Sequence, residues 1–423
     1  MTTPATPMDQ NSPTAPAATA TDALGSIVVQ KYGGSSLATL EKVQDVARRI
    51  AATVQAGHRV VAVVSAMGKT TDGLLSQAKS LSDNPNAREL DMLMSVGERI
   101  STALLAIALY ELGLPAVSFT GSQSGIITNT RHNRARIVEV RPYRVADELD
   151  AGKVVIVAGY QGVSYAREIT TLGRGGTDTT AVALAAALDA EYCEICSDVD
   201  GVYTADPRVV LDAKRLDALS HAEMIALARS GSRVLNQDCV EFASLKGVAI
   251  FAKATFGPKD DSGTVIRKNP SPEPRLVTAI AHRTKVLELT TQTATTSESV
   301  DTLDVIDALA TLGALPHAMS TGAHLHVVVP TDDAHRLDAV RTQLSERFGD
   351  ALSTREDRGT VTAIGLGLGE APELIKRAVR AIRNLVGGAY ELTLGPLELT
   401  FTLGSEHVED AVRALHAVLI ERA

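Results

Sequence analysis

The sequence predicts an α/β fold: a mainly parallel central sheet with flanking helices, followed by two small α+β modules. Short apolar runs at residues 27–29, 60–64 and 154–157 are each followed by Gly or Ser and alternate with stretches of helical period. Apolar residues make up 45% of the chain and aromatic residues only 3%, so the cores are mainly aliphatic. A proline-rich stretch near residue 270 separates this region from shorter elements beyond it.

Composition and charge narrow the classes of function. The chain has 423 residues, which predicts two to four domains at ~100–200 residues per domain. A net charge of −9 and the lack of Trp argue against a general nucleic-acid binder, which is normally basic. No run of ~18 apolar residues occurs, so we expect no membrane span. Three cysteines cannot form a disulfide scaffold, so we expect a reducing, cytoplasmic location.

Changes in composition along the chain predict its domain organisation. Residues 1–26 are rich in Thr, Ala and Pro and contain no Lys or Arg, so we predict a disordered tail rather than a signal or transit peptide. We predict the α/β domain over residues 27–268 and a proline-containing linker over 269–284. The two small modules are predicted over 285–423.

Within the α/β domain, the spacing of apolar residues predicts the elements in turn. A helix over 40–50 follows the first strand, and a long helix is predicted over 90–112. A further helix is predicted over 181–188, and a strand over 193–197 comes after it. Ligands bind beyond the carboxyl ends of parallel strands, where this chain carries its clusters of Gly, Ser, Thr and Asp.

The C-terminal region has shorter elements of mixed type. Helical spacing of apolar residues predicts four helices, at 303–310, 337–348, 374–382 and 408–419. Extended runs predict one strand at 325–329 and a hairpin over 391–403 around a Gly-Pro pair. These elements are sufficient for two α+β modules of similar size.

The segment KYGGSS, residues 31–36, lies between the first strand and the first helix. Adjacent glycines let a ligand approach the backbone closely, and amides at a helix start attract anions. Lys31 adds a point charge suited to phosphate. A tight turn with a surface lysine would have the same residues, so this segment alone leaves both interpretations open.

The segment LGRGGTDTT, residues 172–180, precedes an alanine-rich helix and is too elaborate for a simple turn. Arg174 offers a planar fork for a carboxylate. Asp178 could cap the helix, orient an ammonium group or hold a metal-bound water.

Three further segments carry candidate groups. SDVDGVYTADPR, residues 197–208, starts at a strand end and has carboxylates, a Tyr and an Arg, although an acidic turn is the structural alternative. VGERIS, residues 96–101, places Glu98 in a helix, where a solvated charge is the usual outcome. SAMGKTTD, residues 65–72, follows another strand end.

Taken together, these segments resemble the aspartokinase branch of the amino-acid kinase family in order and spacing over residues 27–267. The resemblance implies an amino-acid-kinase-type sheet followed by paired ACT-like modules for regulation and dimerisation. It implies transfer of the γ-phosphoryl group of ATP to the side-chain carboxylate of L-aspartate, giving 4-phospho-L-aspartate on the route to lysine, threonine and methionine. The implied partners are Mg²⁺ with ATP, L-aspartate, an amino-acid effector at the ACT-like region and a further copy in a homodimer or higher homo-oligomer, with no nucleic acid and no membrane.

The resemblance also implies roles for individual residues. The acceptor carboxylate, with a reference pKa of ~3.9, is ionised at pH 7, so catalysis consists of positioning and charge neutralisation. The implied catalytic residues are Lys31, Arg174 and Asp178. The implied aspartate pocket comprises Thr71, Glu98, Arg174 and Thr177, with Glu98 meeting the substrate ammonium and Arg174 a carboxylate. The implied nucleotide site comprises Lys31, Gly33, Gly34, Ser36, Asp198, Tyr203, Arg208 and Arg233. The protein ligands of the metal stay unassigned.

The chain departs from the family pattern at several positions. Family members often carry Lys where this chain has Arg233, and His-Pro where it has Asn236-Gln237. The Asp-x-Pro-Gly turn of ACT domains is kept neither at 293–299 nor at 367–372. We therefore expect feedback inhibition by lysine or threonine to be weak or absent. A diverged but working effector site is the alternative.

Two other functions are weighed against the aspartokinase interpretation. A kinase of the same fold could act on another acid, such as an acetylated glutamate, but Glu98 and Arg174 suit a free amino acid because an acetylated nitrogen carries no charge. A non-catalytic amino-acid sensor would be expected to have lost Lys31, Asp178 or the glycine loop, and this chain has all three.

Overall fold

The structure is a computed structural model of the chain. It describes residues 25–257, 263–270, 275–291, 300–312, 314, 316–321, 325–331 and 334–421. The tail predicted at 1–26 lies outside the described residues except for its last two positions, and the first ACT-like turn, at 293–299, lies wholly outside them.

The N-terminal region is an alternation of strands and helices. Its strands are β1 (Ile27–Tyr32), β2 (Arg59–Val64), β3 (Ala116–Phe119), β4 (Ile126–Thr128), β5 (Ile137–Val140), β6 (Val154–Ala158), β7 (Gln161–Ser164), β8 (Ile169–Thr171), β9 (Tyr192–Ser197), β10 (Ala218–Ser220), β11 (Ile250–Ala254) and β12 (Thr264–Arg267). Its helices are α1 (Leu40–Gln55), α2 (Thr70–Leu81), α3 (Ala87–Met94), α4 (Val96–Glu111), α5 (Tyr143–Asp150), α6 (Gly176–Ala187), α7 (His221–Arg229) and α8 (Gln237–Lys246).

The predicted mainly parallel sheet is confirmed. Eight strands lie in the order β10-β12-β11-β9-β1-β2-β6-β3, and β11 with β12 is the antiparallel pair. Successive side chains of a strand face opposite sides, so Val28 packs in one core beneath α1 and α4 while Val29 packs in another that includes α6. A separate four-stranded sheet, β5-β4-β7-β8, forms a flap that the sequence analysis did not predict.

The long helix predicted over 90–112 is divided at Ser95 into α3 and α4. Ser95 is buried, and its carbonyl accepts a hydrogen bond from the side chain of Gln161 at 2.8 Å. The stretch Ala87–Glu111 is long and apolar enough to cross a membrane by length and composition, with a mean hydropathy of 1.5. Half of the 18-residue segment that has this hydropathy is buried, however. Helix α4 packs on α1 and on the sheet, as a core helix does.

The C-terminal region contains the predicted helices and hairpin. Its elements are β13 (Ala279–Thr291), α9 (Thr302–Leu312), β14 (Ala318–Ser320), β15 (His326–Pro330), α10 (Ala334–Phe348), β16 (Leu352–Ile364), α11 (Pro372–Val386), β17 (Tyr390–Leu394), β18 (Glu398–Gly404) and α12 (Val408–Leu419). The strands form one antiparallel sheet in the order β14-β15-β13-β16-β18-β17.

The two modules are nested rather than consecutive. The first half of β13 pairs with the end of β16 and contributes Ile280 to the core beneath α11 and α12. Its second half contributes Leu287 and Leu289 to a different core, beneath α9 and α10. The linker predicted over 269–284 is therefore too long, because β13 begins at Ala279 and its first half already belongs to the second module.

Candidate active site

The candidate site lies at the carboxyl ends of four neighbouring parallel strands. Lys31 is near the end of β1, Ser65 follows β2, Gly159 follows β6 and Ser197 ends β9. These strands are adjacent in the sheet and point the same way, so their ends meet at one edge. The segments singled out in the sequence are thereby brought together.

The glycine loop after β1 packs directly on the segment after β2. Gly34 begins a short 3₁₀ turn, and a Cβ atom at Gly34 would lie 2.8 Å from the carbonyl oxygen of Ala66. The amide of Gly33 donates to the carbonyl of Cys196 at the end of β9, at 3.4 Å. Glycine is required at Gly34 because a side chain there would collide with backbone.

Lys31 and Asp178 form an ion pair at this edge of the sheet. The Nζ atom of Lys31 lies 2.7 Å from Oδ1 of Asp178, and the side chains are 11% and 13% exposed. Burial opposes the charged ammonium, but the Asp178 carboxylate outweighs it and raises the pKa of Lys31. A fixed positive charge therefore faces the cavity described below. Asp178 is in the first turn of α6, which follows Gly175 in the left-handed region at φ +72°.

Glu98 is a buried carboxylate with one oxygen left open. It lies in the first turn of α4 and is 3% exposed. Oε1 accepts a hydrogen bond from the amide of Ala66 at 3.2 Å, whereas Oε2 has no hydrogen-bond partner among the described residues. Burial raises the pKa of Glu98 to about 7. An orphaned acceptor of this kind indicates a missing donor, and an ammonium group supplies one.

The threonines expected near the substrate lie at the starts of two helices, α6 and α2. Thr177 is buried, and its hydroxyl accepts a hydrogen bond from Ser65 at 3.0 Å. A Cβ atom at Gly159 would lie 2.5 Å from the Thr177 methyl group, so β6 ends tightly against α6. Thr71 is in the first turn of α2 and is half-buried.

Arg174 lies on the loop between β8 and α6 and is exposed. Its carbonyl oxygen accepts a hydrogen bond from the Asn236 side-chain amide at 3.1 Å. Asn236 also caps α8 through the amide of Asp238. In the sequence, Asn236 is notable only as a departure from the family pattern. In the structure, the Asn236 side chain holds the loop that carries Arg174 against α8.

A cavity of about 1060 Å³ opens next to the ion pair. Several residues expected at the nucleotide line it: Lys31, Gly33, Asp198, Tyr203, Arg208 and Arg233. Ser35 and Asp178, which was expected as a catalytic residue, line it as well. Tyr203 donates a hydrogen bond to Asp200 at 3.1 Å. The exposed guanidinium of Arg208 pairs with Asp206, its Nη2 atom lying 2.6 Å from Oδ2. The far wall of the cavity is residues 280–285 of β13.

Not every residue expected at the nucleotide faces this cavity. Ser36 is 2% exposed, and its hydroxyl lies 2.6 Å from that of Thr255, just after β11. Ser35 lines the cavity in its place. The Ser36 side chain thus holds the loop to β11 instead of reaching the cavity. The sequence did not indicate this because two serines stand side by side there. Gly34 likewise packs behind the cavity wall.

A buried network around Asp91 was missed in the sequence. Asp91 is fully buried on α3, accepts from the hydroxyl of Thr171, and has an oxygen 2.6 Å from Nδ1 of His132. It ties α3 to the flap through β8, the strand that leads into the loop that carries Arg174. Nearby Tyr160 has φ +65°, a conformation that a bulky residue rarely adopts. No short spacing in the sequence links these positions.

No group of three or more His, Cys, Asp or Glu side chains within the described ranges could hold a metal ion. The carboxylates of the cavity wall are spread along it, and Asp178 is already paired with Lys31. These donors fit a metal ion that arrives with its own ligands better than a resident metal centre.

Comparisons of the sequence with known proteins agree with the arrangement of residues described above. A sequence model described as the amino acid kinase family matches residues 26–251. The chain is 40% identical over 404 residues to an aspartokinase of Corynebacterium glutamicum, an alignment covering 92% of this chain and 95% of that relative. It is 51% identical over 261 residues to an aspartokinase of Mycolicibacterium smegmatis, covering 61% of this chain and 62% of that relative.

The fold also matches a solved structure. Escherichia coli aspartokinase III, in complex with aspartate and ADP, is similar with a TM-score of 0.76 at 25% sequence identity. The match covers 93% of this chain and 99% of the other. Similarity over nearly the whole length includes the nested modules as well as the α/β domain. The chain belongs to the amino acid kinase family and, within it, to the aspartokinases.

Proposed function

We propose that this chain is an aspartate kinase, which transfers the γ-phosphoryl group of ATP to the side-chain carboxylate of L-aspartate. The product is 4-phospho-L-aspartate, the first intermediate towards lysine, threonine and methionine. One observation carries the assignment of substrate: the buried carboxylate of Glu98 keeps one oxygen without a hydrogen-bond partner among the described residues. A free amino group fits that oxygen, and an acetylated one does not.

The chemistry needs charge neutralisation more than acid–base catalysis. The acceptor carboxylate is ionised at pH 7 and needs no general base. It must, however, approach a phosphate that carries the same sign of charge. Lys31, held by Asp178 at 2.7 Å, supplies a positive charge at the site of transfer. Asp178 acts on the reaction by keeping that ammonium in place and protonated.

The aspartate pocket lies on the side of Lys31 that faces α4. Glu98 binds the substrate ammonium, and Arg174 clamps a carboxylate with its planar fork. Thr177 and Thr71 complete the pocket. The contacts of Ala66 with both Glu98 and Gly34 support a pocket next to the glycine loop, where acceptor and donor meet.

The nucleotide occupies the cavity on the other side of Lys31. The amide of Gly33 and the ammonium of Lys31 hold the phosphate to be transferred, while Asp198, Tyr203 and Arg208 lie along the nucleotide, and all of these residues line the cavity. Arg233 adds a further positive charge to the wall. Mg²⁺ bound to the phosphates supplies further charge neutralisation, and the spread of carboxylates described above supports its being carried by the nucleotide and water.

We further propose that the chain acts in the cytoplasm as a homodimer or higher homo-oligomer joined through its C-terminal modules. Any amino-acid effector would bind at these modules, and we propose that its effect is weak. Around 367–372 the chain enters a 3₁₀ turn after Gly367, which has φ +91°, and α11 begins at Pro372. This turn lacks the Asp-x-Pro-Gly sequence that ACT domains usually have at their first helix.

The test is the formation of aspartyl-hydroxamate from ATP, Mg²⁺, L-aspartate and hydroxylamine. Parallel reactions contain L-glutamate or N-acetyl-L-glutamate, and a Lys31→Met variant controls for background. Product from L-aspartate alone supports the proposal. Product from N-acetyl-L-glutamate instead would assign the chain to another acceptor, and no product from any acid would favour a non-catalytic sensor.

A further inference from the structure

Strand β13 of the C-terminal sheet forms one wall of the cavity that holds Lys31 and Asp178. Six consecutive residues of this strand, 280–285, line the cavity. This strand runs through both nested modules and has a register shift between Arg283 and Val286, at the junction of their two cores. The part of β13 that faces the cavity is therefore also the part where one module passes into the other.

The strand is in direct contact with the turn between α7 and α8. Gly231, in this turn, has φ +114°, and a Cβ atom there would lie 2.2 Å from the carbonyl oxygen of His282. Backbone thus lies on backbone, with no side chain between. The same turn carries Arg233, which lines the cavity.

Arg283 fastens the strand to the turn. Its Nη2 atom donates to the carbonyl oxygen of Arg229, the last residue of α7, at 2.8 Å. Carbonyl groups at the end of a helix lack partners within the helix and carry partial negative charge, so a guanidinium is well matched to them. Loss of this bond would let the Gly231 turn, and Arg233 with it, move away from the cavity.

Both edges of the strand are flanked by other strands of the C-terminal sheet, β15 on one side and β16 on the other. Thr331 donates from its hydroxyl to the carbonyl of Lys285 at 2.8 Å, just after β15. A Cβ atom at Gly359, on β16, would lie 2.6 Å from the carbonyl oxygen of Arg283. A shift of β15 or β16 relative to the α/β domain would therefore act on the residues that hold the turn.

We propose that Arg283 is a positioning residue for nucleotide binding: it fixes the turn that carries Arg233 and so makes the C-terminal sheet a structural part of the nucleotide site. This proposal rests on the proposed nucleotide site but not on the identity of the acceptor. It predicts that disturbing β13 changes the affinity for nucleotide and leaves the affinity for the acceptor unchanged.

The experiment compares Arg283→Met with wild-type full-length enzyme and with Arg355→Met, an exposed arginine of β16 that pairs with Asp357. For Arg283→Met we expect the Kd for Mg–ADP, measured by titration calorimetry, to be about tenfold higher than in wild type, which corresponds to ~1.4 kcal/mol of binding free energy. The KM for ATP should rise by a similar factor. The KM for aspartate should change less than twofold. Arg355→Met should match wild type, and Arg283→Lys should recover most of the loss.

Gly231→Ala provides a second route to the same displacement and should give the same selective loss of nucleotide affinity. The proposal is overturned if folded Arg283→Met binds Mg–ADP like wild type, or if both KM values rise together. If Arg283→Met does not fold, Gly231→Ala decides the question by the same criteria. Because Mg–ADP binding needs no acceptor, this test can be interpreted even if aspartate is not the substrate.

Discussion

Replacing the buried carboxylate of Glu98 should have two opposite effects: it should stabilise the enzyme and weaken aspartate binding. Burial raises the pKa of this carboxyl group from 4.5 to about 7. At pH values between these two, the folded enzyme therefore keeps a proton that the unfolded chain has lost. Stability therefore falls as pH rises through this interval, and the full cost of the buried charge is present above about pH 7. At 1.36 kcal/mol per pKa unit, the cost is roughly 3 kcal/mol. Glu98→Gln should thus stabilise the substrate-free enzyme at pH 8 and make little difference near pH 5.

The same substitution should weaken aspartate binding. Removing one partner of a buried charge pair typically costs ~3 kcal/mol or more, so we expect kcat/KM for aspartate at pH 8 to fall on the order of 10²-fold. In wild type, only ionised Glu98 can pair with the ammonium. With a pKa near 7, kcat/KM for aspartate should fall about tenfold from pH 8 to pH 6. Glu98→Gln should abolish that pH dependence.

The assay is hydroxamate formation at saturating Mg–ATP over pH 6–8, with thermal unfolding followed on the same samples at pH 5 and pH 8. Glu111→Gln is the matched control, because Glu111 is an exposed glutamate at the other end of α4. It should change neither measurement. A wild-type kcat/KM for aspartate that is constant between pH 6 and pH 8 would refute the pairing of Glu98 with the substrate ammonium. A Glu98→Gln variant less stable than wild type at pH 8 would refute the energetic argument.

Three further predictions follow from the site. Lys31→Met should lower kcat by about 10²–10³ because it removes charge stabilisation at the transition state. It should also lose stability through unpaired Asp178, and a double variant with Asp178→Asn should regain that stability but not the activity. In steady-state kinetics, Arg174→Ala should raise the KM for aspartate with little effect on the KM for ATP, and an unchanged KM for aspartate would disprove the clamp. Lysine plus threonine at millimolar concentration should leave most of the hydroxamate activity intact, and strong inhibition would show a working effector site.

Local properties of the sequence determined much of the fold. Strands such as β2 and β6 are continuous apolar runs because both faces of a central parallel strand are buried. The glycine loop at 31–36 and the start of α6 were predictable because their backbone needs glycine, and that need is visible in the residues themselves. The grouping of the segments was also predictable, since the carboxyl ends of parallel strands share an edge.

Tertiary contacts decided the rest. The sequence could not distinguish Ser35 from Ser36, because only packing against Thr255 removes one hydroxyl from the cavity. The open oxygen of Glu98 depends on Ala66, which lies 32 residues away. The nesting of the modules depends on pairing between β13 and β16. Such pairings join residues far apart in the chain, so no local pattern encodes them, and β13 becomes a wall of the cavity beside Lys31 only once the whole chain has folded.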